Sequence, residues 1–127
     1  MTGLKMKTVK TESTIFCDVD DTLVMWRKAK KGDKVVAVTN PHSGEQNYLV
    51  VHKGHVRVLK DRKSRGAHIV VWSAGGYAWA EAVVKALGLE EHVDLIMSKP
   101  LMYIDDKKAK HFMGEHLYIP YGDGYGR

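Results

Sequence analysis

Three aspartates stand within four positions at Asp18-Val19-Asp20-Asp21, with Thr22-Leu23 behind them. Asp18 and Asp20 are two apart, so an extended backbone points both side chains the same way. Carboxylates that close repel unless a cation lies between them, and a hard, oxygen-binding ion such as Mg2+ suits the pair best. One carboxylate could attack an electrophile while the other handles protons. Taken alone, the stretch is equally an acidic turn, where aspartate is common. A second group is Ser73-Ala74-Gly75-Gly76. Small residues let a backbone come close to a phosphate, a helix starting there offers N–H groups, and the Ser73 hydroxyl can donate to the same oxygen. Lys99 and the pair Asp105-Asp106 complete the inventory.

These groups matter only if the chain brings them together. Thr14 to Asp18 reads as a buried strand by its apolar, β-branched composition. Val35–Thr39 and Tyr48–Val51 read as a β-hairpin around Asn40-Pro41-His42-Ser43-Gly44, a flap over the tip of the first strand spanning about 27–52. Lys53 to Arg65 reads as a helix with Val56 and Leu59 inward, basic residues in its last turn and Gly66 as its stop. Ala67 to Trp72 is a second apolar strand, and Tyr77 to Leu87 a helix with Trp79, Ala82, Val83 and Ala86 inward, closed by Gly88. Val93 to Met97 is expected as a third strand and Leu101 to Ile104 as a fourth. Lys107 to Met113 is expected as a short helix and Leu117 to Ile119 as a last strand. Helices between the early strands imply right-handed β-α-β crossovers and a mostly parallel sheet. The strand tips then carry Asp18 and Asp20, Ser73, Lys99, and Asp105 with Asp106 along one edge, where such sheets bind ligands.

Composition narrows the classes. At 127 residues, 44% apolar and 28% charged, the chain is expected to be one soluble domain. A net charge of +5 is compatible with anionic substrates or nucleic acid and diagnostic of neither. The single cysteine, Cys17, excludes an intramolecular disulfide and a multi-cysteine zinc site, and favours a reducing, cytoplasmic setting. No apolar run approaches the ~20 residues of a membrane span, and the basic stretch from Met1 lacks the apolar core of a secretory signal. Met1 to Glu12 reads as a loose lead-in and Tyr121 to Arg127 as a glycine-rich tail. Composition says nothing of oligomeric state. His52 and His55 have the spacing of a metal pair, but no third ligand is apparent, so surface or packing roles are expected for them.

In this order the motifs resemble the haloacid dehalogenase superfamily of phosphohydrolases. Asp18-Val19-Asp20-Asp21-Thr22-Leu23 is similar to its first motif, Ser73 at a strand end to its second, Lys99 to its third and Asp105-Asp106 to its acidic fourth. The resemblance runs from about Thr14 to Asp106. It departs from many members in having only Pro100 to Ile104 between the lysine and the acidic pair. The resemblance implies a three-layer, Rossmann-like α/β fold and a Mg2+-dependent phosphatase working through an aspartyl-phosphate. Asp18 would be the nucleophile and Asp20 the general acid and base. Asp18, Asp20, Asp105 and Asp106 would be the metal shell. Ser73, Ala74 and Lys99 would hold phosphoryl oxygens. Thr22 would orient the loop and Asp21 would be structural.

Cys17 is read as a small buried hydrophobe; no arginine follows it at the spacing a cysteine phosphatase needs. The short gaps between motifs resemble capless or minimally capped members, whose open sites admit large substrates. A phosphorylated small molecule, a nucleotide or a nucleic-acid end is therefore expected. Lys28, Lys30, Lys31 and Lys34 could give the flap weak contact with nucleic acid, or form a merely solvated basic face. The competing reading is a catalytically weak module of the same fold that binds nucleic acid or protein.

Overall fold

The computed structural model describes residues 13–121. The expected lead-in, Met1 to Glu12, and all of the glycine-rich tail but Tyr121 lie outside the described residues.

Three strands form a parallel sheet in the order β1 (Thr14–Asp18), β5 (His68–Ser73), β6 (Leu95–Ser98). The register sets Asp18 beside Trp72, and Ser73 beside Ser98. Parallel neighbours need long crossovers, and the chain supplies them. The flap and α1 (Lys53–Ser64) join β1 to β5, and α2 (Tyr77–Ala86) joins β5 to β6. Because the strands run the same way, their C-terminal tips share one edge.

The flap is a second, antiparallel sheet in the order β2 (Val24–Met25), β4 (Gln46–Val51), β3 (Val35–Thr39). Asn40 builds its turn by accepting the His42 and Ser43 N–H groups on Oδ1, at 2.8 and 3.2 Å. β3 packs against α2, which fastens the flap to the body. This is the small Rossmann-like α/β arrangement that the sequence implies, with the flap hairpin where expected.

The core follows from which side chains the crossovers turn inward. Trp79, Ala80, Val83 and Val84 are the buried stripe of α2, a wider face than the i, i+3 spacing suggested. They meet Val19, Leu23, Ile69, Val71 and Leu89 in one apolar cluster. Gly88, at φ +68°, turns the chain out of α2 in the left-handed conformation that glycine adopts without strain. Asp94 pins the start of β6. Its Oδ2 accepts the Ile69 N–H at 2.7 Å, its own N–H donates to the Ile69 carbonyl at 2.9 Å, and Lys63 Nζ bridges both oxygens at 2.8 and 2.9 Å. Burial opposes the charge on Asp94, but these donors outweigh it and hold the carboxyl below its ordinary range.

Four expectations are corrected. Thr14–Asp18 is a strand but not a buried one: β1 lies at the edge of its sheet, with β5 between it and β6, and Thr14 and Phe16 are exposed, because the central place goes to the more apolar His68–Ser73. Leu101 to Ile104 is not a strand: it leaves the sheet after Pro100 and its residues are exposed, Leu101 and Ile104 almost completely. An apolar run becomes a strand only when a ladder partner takes its backbone groups, and periodicity cannot show whether it does. Lys107 to Met113 forms only a single 3-10 turn, Ala109–His111. Leu117 to Ile119 is not a strand either. The Ile119 N–H donates to His55 Nε2 and its carbonyl accepts from His52 Nε2, both at 2.8 Å, so two imidazoles stand where a neighbouring strand would.

Candidate active site

Asp18 ends β1, Ser73 ends the neighbouring β5, and Lys99 follows the end of β6. Lys99 is fixed by backbone as well as sequence position, since its N–H donates to the Ser73 carbonyl at 2.9 Å. That anchor brings its Nζ to 3.3 Å from Asp18 Oδ1. The other Asp18 oxygen accepts from Thr22 Oγ1 at 3.1 Å. Thr22 thus orients the carboxylate. The ammonium and hydroxyl are both donors, and between them they fix the orientation of the carboxylate.

The loop after β1 turns sharply to make these contacts. The Asp21 N–H donates to the Val24 carbonyl and Leu23 and Val24 donate back to the Val19 carbonyl, at 2.6, 2.9 and 3.2 Å. Asp21 itself stands at φ +59°, a left-handed conformation that aspartate tolerates better than most residues. Its Oδ1 accepts the Trp26 N–H at 3.0 Å. Asp21 is therefore the structural member of the acidic cluster.

Asp20 is more heavily engaged than its position implied. Oδ1 accepts two indole N–H bonds, from Trp26 Nε1 at 2.7 Å and Trp79 Nε1 at 3.0 Å. Oδ2 accepts from Ser73 Oγ at 3.4 Å. Sequence reasoning missed both tryptophans as site residues. A tryptophan at a packed position needs an acceptor for its N–H, but the acceptor is six positions from one indole and fifty-nine from the other.

Ser73 is fully buried, and its Oγ also accepts the Gly75 N–H at 2.9 Å. A Cβ at Gly75 would come within 3.3 Å of that Oγ and 3.2 Å of Trp79 Cδ1, so the tight turn depends on glycine there. Ala74 is exposed at the tip of the turn. The start of α2 is partly occupied, because the Tyr77 N–H donates to Ser98 Oγ at 2.8 Å. Burial, and then the charge of Asp18, push the Cys17 thiol up to about 12. It stays protonated at neutral pH and is no nucleophile.

Asp105 and Asp106 are not brought to this rim by a strand. They stand in an exposed loop, Asp105 Oδ1 accepting the Lys107 N–H at 2.9 Å and Asp106 Oδ2 lying 3.5 Å from Lys107 Nζ. Among the described residues no three His, Cys, Asp or Glu side chains gather closely enough to hold a metal ion. The four aspartates therefore do not fit Mg2+ as an assembled shell in this arrangement. His52 and His55 are not a metal pair either. Their rings stack at 3.7 Å and each is used as a neutral donor and acceptor: His55 Nδ1 donates to the Thr22 carbonyl at 2.8 Å, and His52 Nδ1 accepts the His55 N–H at 3.1 Å.

Trp26, Arg27, Lys28, Asn47, Tyr48 and Leu49 line an open cavity of about 280 Å3 on the flap, and none of Asp18, Asp20, Ser73 or Lys99 is among its lining residues. No helix among the described residues is long and apolar enough to cross a membrane. A family model described as NLI interacting factor-like phosphatase matches residues 13–116. No curated protein and no solved structure matches the chain.

Proposed function

The chain belongs to the NLI interacting factor-like phosphatases, a family of the haloacid dehalogenase superfamily, and from that premise we propose that this phosphatase cleaves phosphomonoesters through Asp18. The observation that carries the reading is the contact of Lys99 Nζ with Asp18 Oδ1 at 3.3 Å, beside the end of β5 at Ser73. A carboxylate, an ammonium and a glycine-bearing turn at one rim are the parts an in-line phosphoryl transfer needs.

In the first half-reaction an Asp18 oxygen bonds to phosphorus. The bond from phosphorus to the leaving oxygen breaks, and Asp20 gives that oxygen a proton. In the second half-reaction water bonds to phosphorus and gives a proton to Asp20. The aspartyl oxygen–phosphorus bond breaks, releasing phosphate and restoring both carboxyl groups. Lys99 and the Ser73-Ala74 turn hold the phosphoryl oxygens. Haloacid dehalogenase phosphatases generally use Mg2+, but neither half-reaction is routed through it, because among the described residues the aspartates do not form an assembled shell.

Among the described residues the rim carries no cover beyond the flap, which favours a large substrate such as a nucleotide or a phosphorylated nucleic-acid end. Lys28, Lys30, Lys31 and Lys34 are exposed on and before the flap and add attraction for polyanions. The test is a screen of aryl phosphates, nucleotides, sugar phosphates and 3′- or 5′-phosphorylated oligonucleotides, with Mg2+ and with chelator. Turnover by the wild type that disappears in Asp18→Asn is the expected result. A wild type inactive across the panel, or an Asp18→Asn variant that still turns over, overturns the reading. Salt-sensitive oligonucleotide binding without turnover would instead identify a binding module.

A further inference from the structure

Asp20 can act as a general acid only from one of the orientations its carboxyl could adopt. In this chain that choice is made by neighbours. Trp26 and Trp79 both aim their indole N–H groups at Oδ1, at 2.7 and 3.0 Å. An oxygen that already accepts two donors has little capacity left for a proton of its own. That leaves Oδ2, which accepts only the longer 3.4 Å bond from Ser73 Oγ, as the less engaged oxygen. We propose that Trp26 and Trp79 are positioning residues for the reaction, clamping the Asp20 carboxyl through Oδ1 and fixing its orientation at the rim.

The two indoles come from different parts of the fold. Trp79 belongs to α2 and is buried, so it is a fixed reference. Trp26 follows β2 at the root of the flap and is 51% exposed. Its ring lies 6.0 Å from that of Trp79, and its backbone N–H is held by Asp21 Oδ1. The Asp-Asp pair of the first motif therefore works as a unit. Asp21 sets the backbone of Trp26, and Trp26 sets the side chain of Asp20.

The inference rests on the reading of Asp20 as the acid, and the experiment separates the two. Trp26→Phe and Trp79→Phe keep an aromatic ring and remove the N–H. Activity is measured on an alkyl phosphate, whose leaving oxygen needs a proton, and on p-nitrophenyl phosphate, whose leaving group departs with little help. Loss of a donor to the acid should lower kcat/KM for the alkyl ester by about 10-fold or more, and for the aryl ester by less than about 3-fold. Asp20→Asn serves as the reference and should show the same selectivity more strongly. Equal losses on both esters, or none, would reduce the tryptophans to packing and overturn the inference. An Asp20→Asn variant without leaving-group selectivity would overturn the underlying reading of the acid.

Trp79 is buried and its variant can fail to fold, so Trp26→Phe and a second readout keep the test decisive. The chain has three tryptophans. In a proton–nitrogen correlation spectrum, Asp20→Asn should shift the indole resonances of Trp26 and Trp79 and leave that of Trp72 in place. Unmoved resonances of both Trp26 and Trp79 would show that neither indole holds this carboxyl.

Discussion

Replacing Lys99 by methionine should separate the chemistry of the rim from its stability. The ammonium lies 3.3 Å from Asp18 Oδ1. Coulomb attraction at that distance is about 1 kcal/mol in a water-like dielectric and about 5 kcal/mol at an effective dielectric of 20. The two side chains are 39% and 31% exposed, so solvent screens the pair towards the lower figure. Lys99→Met should therefore cost the fold no more than about 1 kcal/mol, about 4 °C in Tm for a domain of this size. Activity should respond far more strongly. In the proposed reaction the same ammonium faces the developing phosphoryl charge, and removing one such donor typically costs about 100- to 1,000-fold in kcat. The assay pairs thermal unfolding by circular dichroism with phosphatase kinetics on one aryl phosphate. Activity within about threefold of wild type would refute the phosphate-binding role. A Tm lower by more than about 10 °C would show instead that Lys99 holds the fold together.

Acid should loosen the fold through His55. Burial holds its pKa below the ordinary value of 6.5; the bond to the Thr22 carbonyl raises it, but less than burial lowers it, and the neighbouring His52 lowers it further. Between the ordinary value and the lowered one the unfolded chain binds more protons than the native chain, so stability falls as pH drops through that window and is complete above about 6.5. Urea midpoints measured from pH 8 to pH 5 should show the decline, and His55→Gln should flatten it; a profile identical in the two proteins would place the pH dependence elsewhere. Asp94→Ala strands the Ile69 N–H at the start of β5 and should cost about 1–3 kcal/mol in chemical unfolding. Asp94→Asn, which keeps an acceptor oxygen, should cost less, and equal losses would mean that the Lys63 pair rather than the backbone bond is what stabilises this corner.

Much of the rim was legible because its logic is local. Asp18 ends an apolar run, Ser73 ends another, and glycines close the helices between them. Parallel strands joined by helices must put their tips on one edge. Lys99 stands where the motif spacing departs from many members, with only five residues before the acidic pair, and its backbone bond to Ser73 seats it against Asp18. The same local logic failed at Leu101 to Ile104. Its composition suits a strand, but strand formation is decided by a partner, and none takes it up among the described residues. Asp105 and Asp106 followed that segment out of the sheet. Asp21 was read as structural without its task, which proved to be holding the backbone of Trp26.

Residue order alone therefore settled the fold class, the flap, the strand ends at Asp18 and Ser73 and the family resemblance that the match over 13–116 bears out. These rest on short-range patterns: alternation, helical spacing, and the residues that end an element. Tertiary structure decided which donors meet which oxygens. The indoles of Trp26 and Trp79 converge on Asp20 Oδ1, and His52 and His55 are spent on the backbone of Ile119 rather than on a metal. Such contacts join residues up to 67 positions apart. A polar group takes whichever partner the packed chain brings within about 3 Å, and separation along the sequence carries no record of that distance.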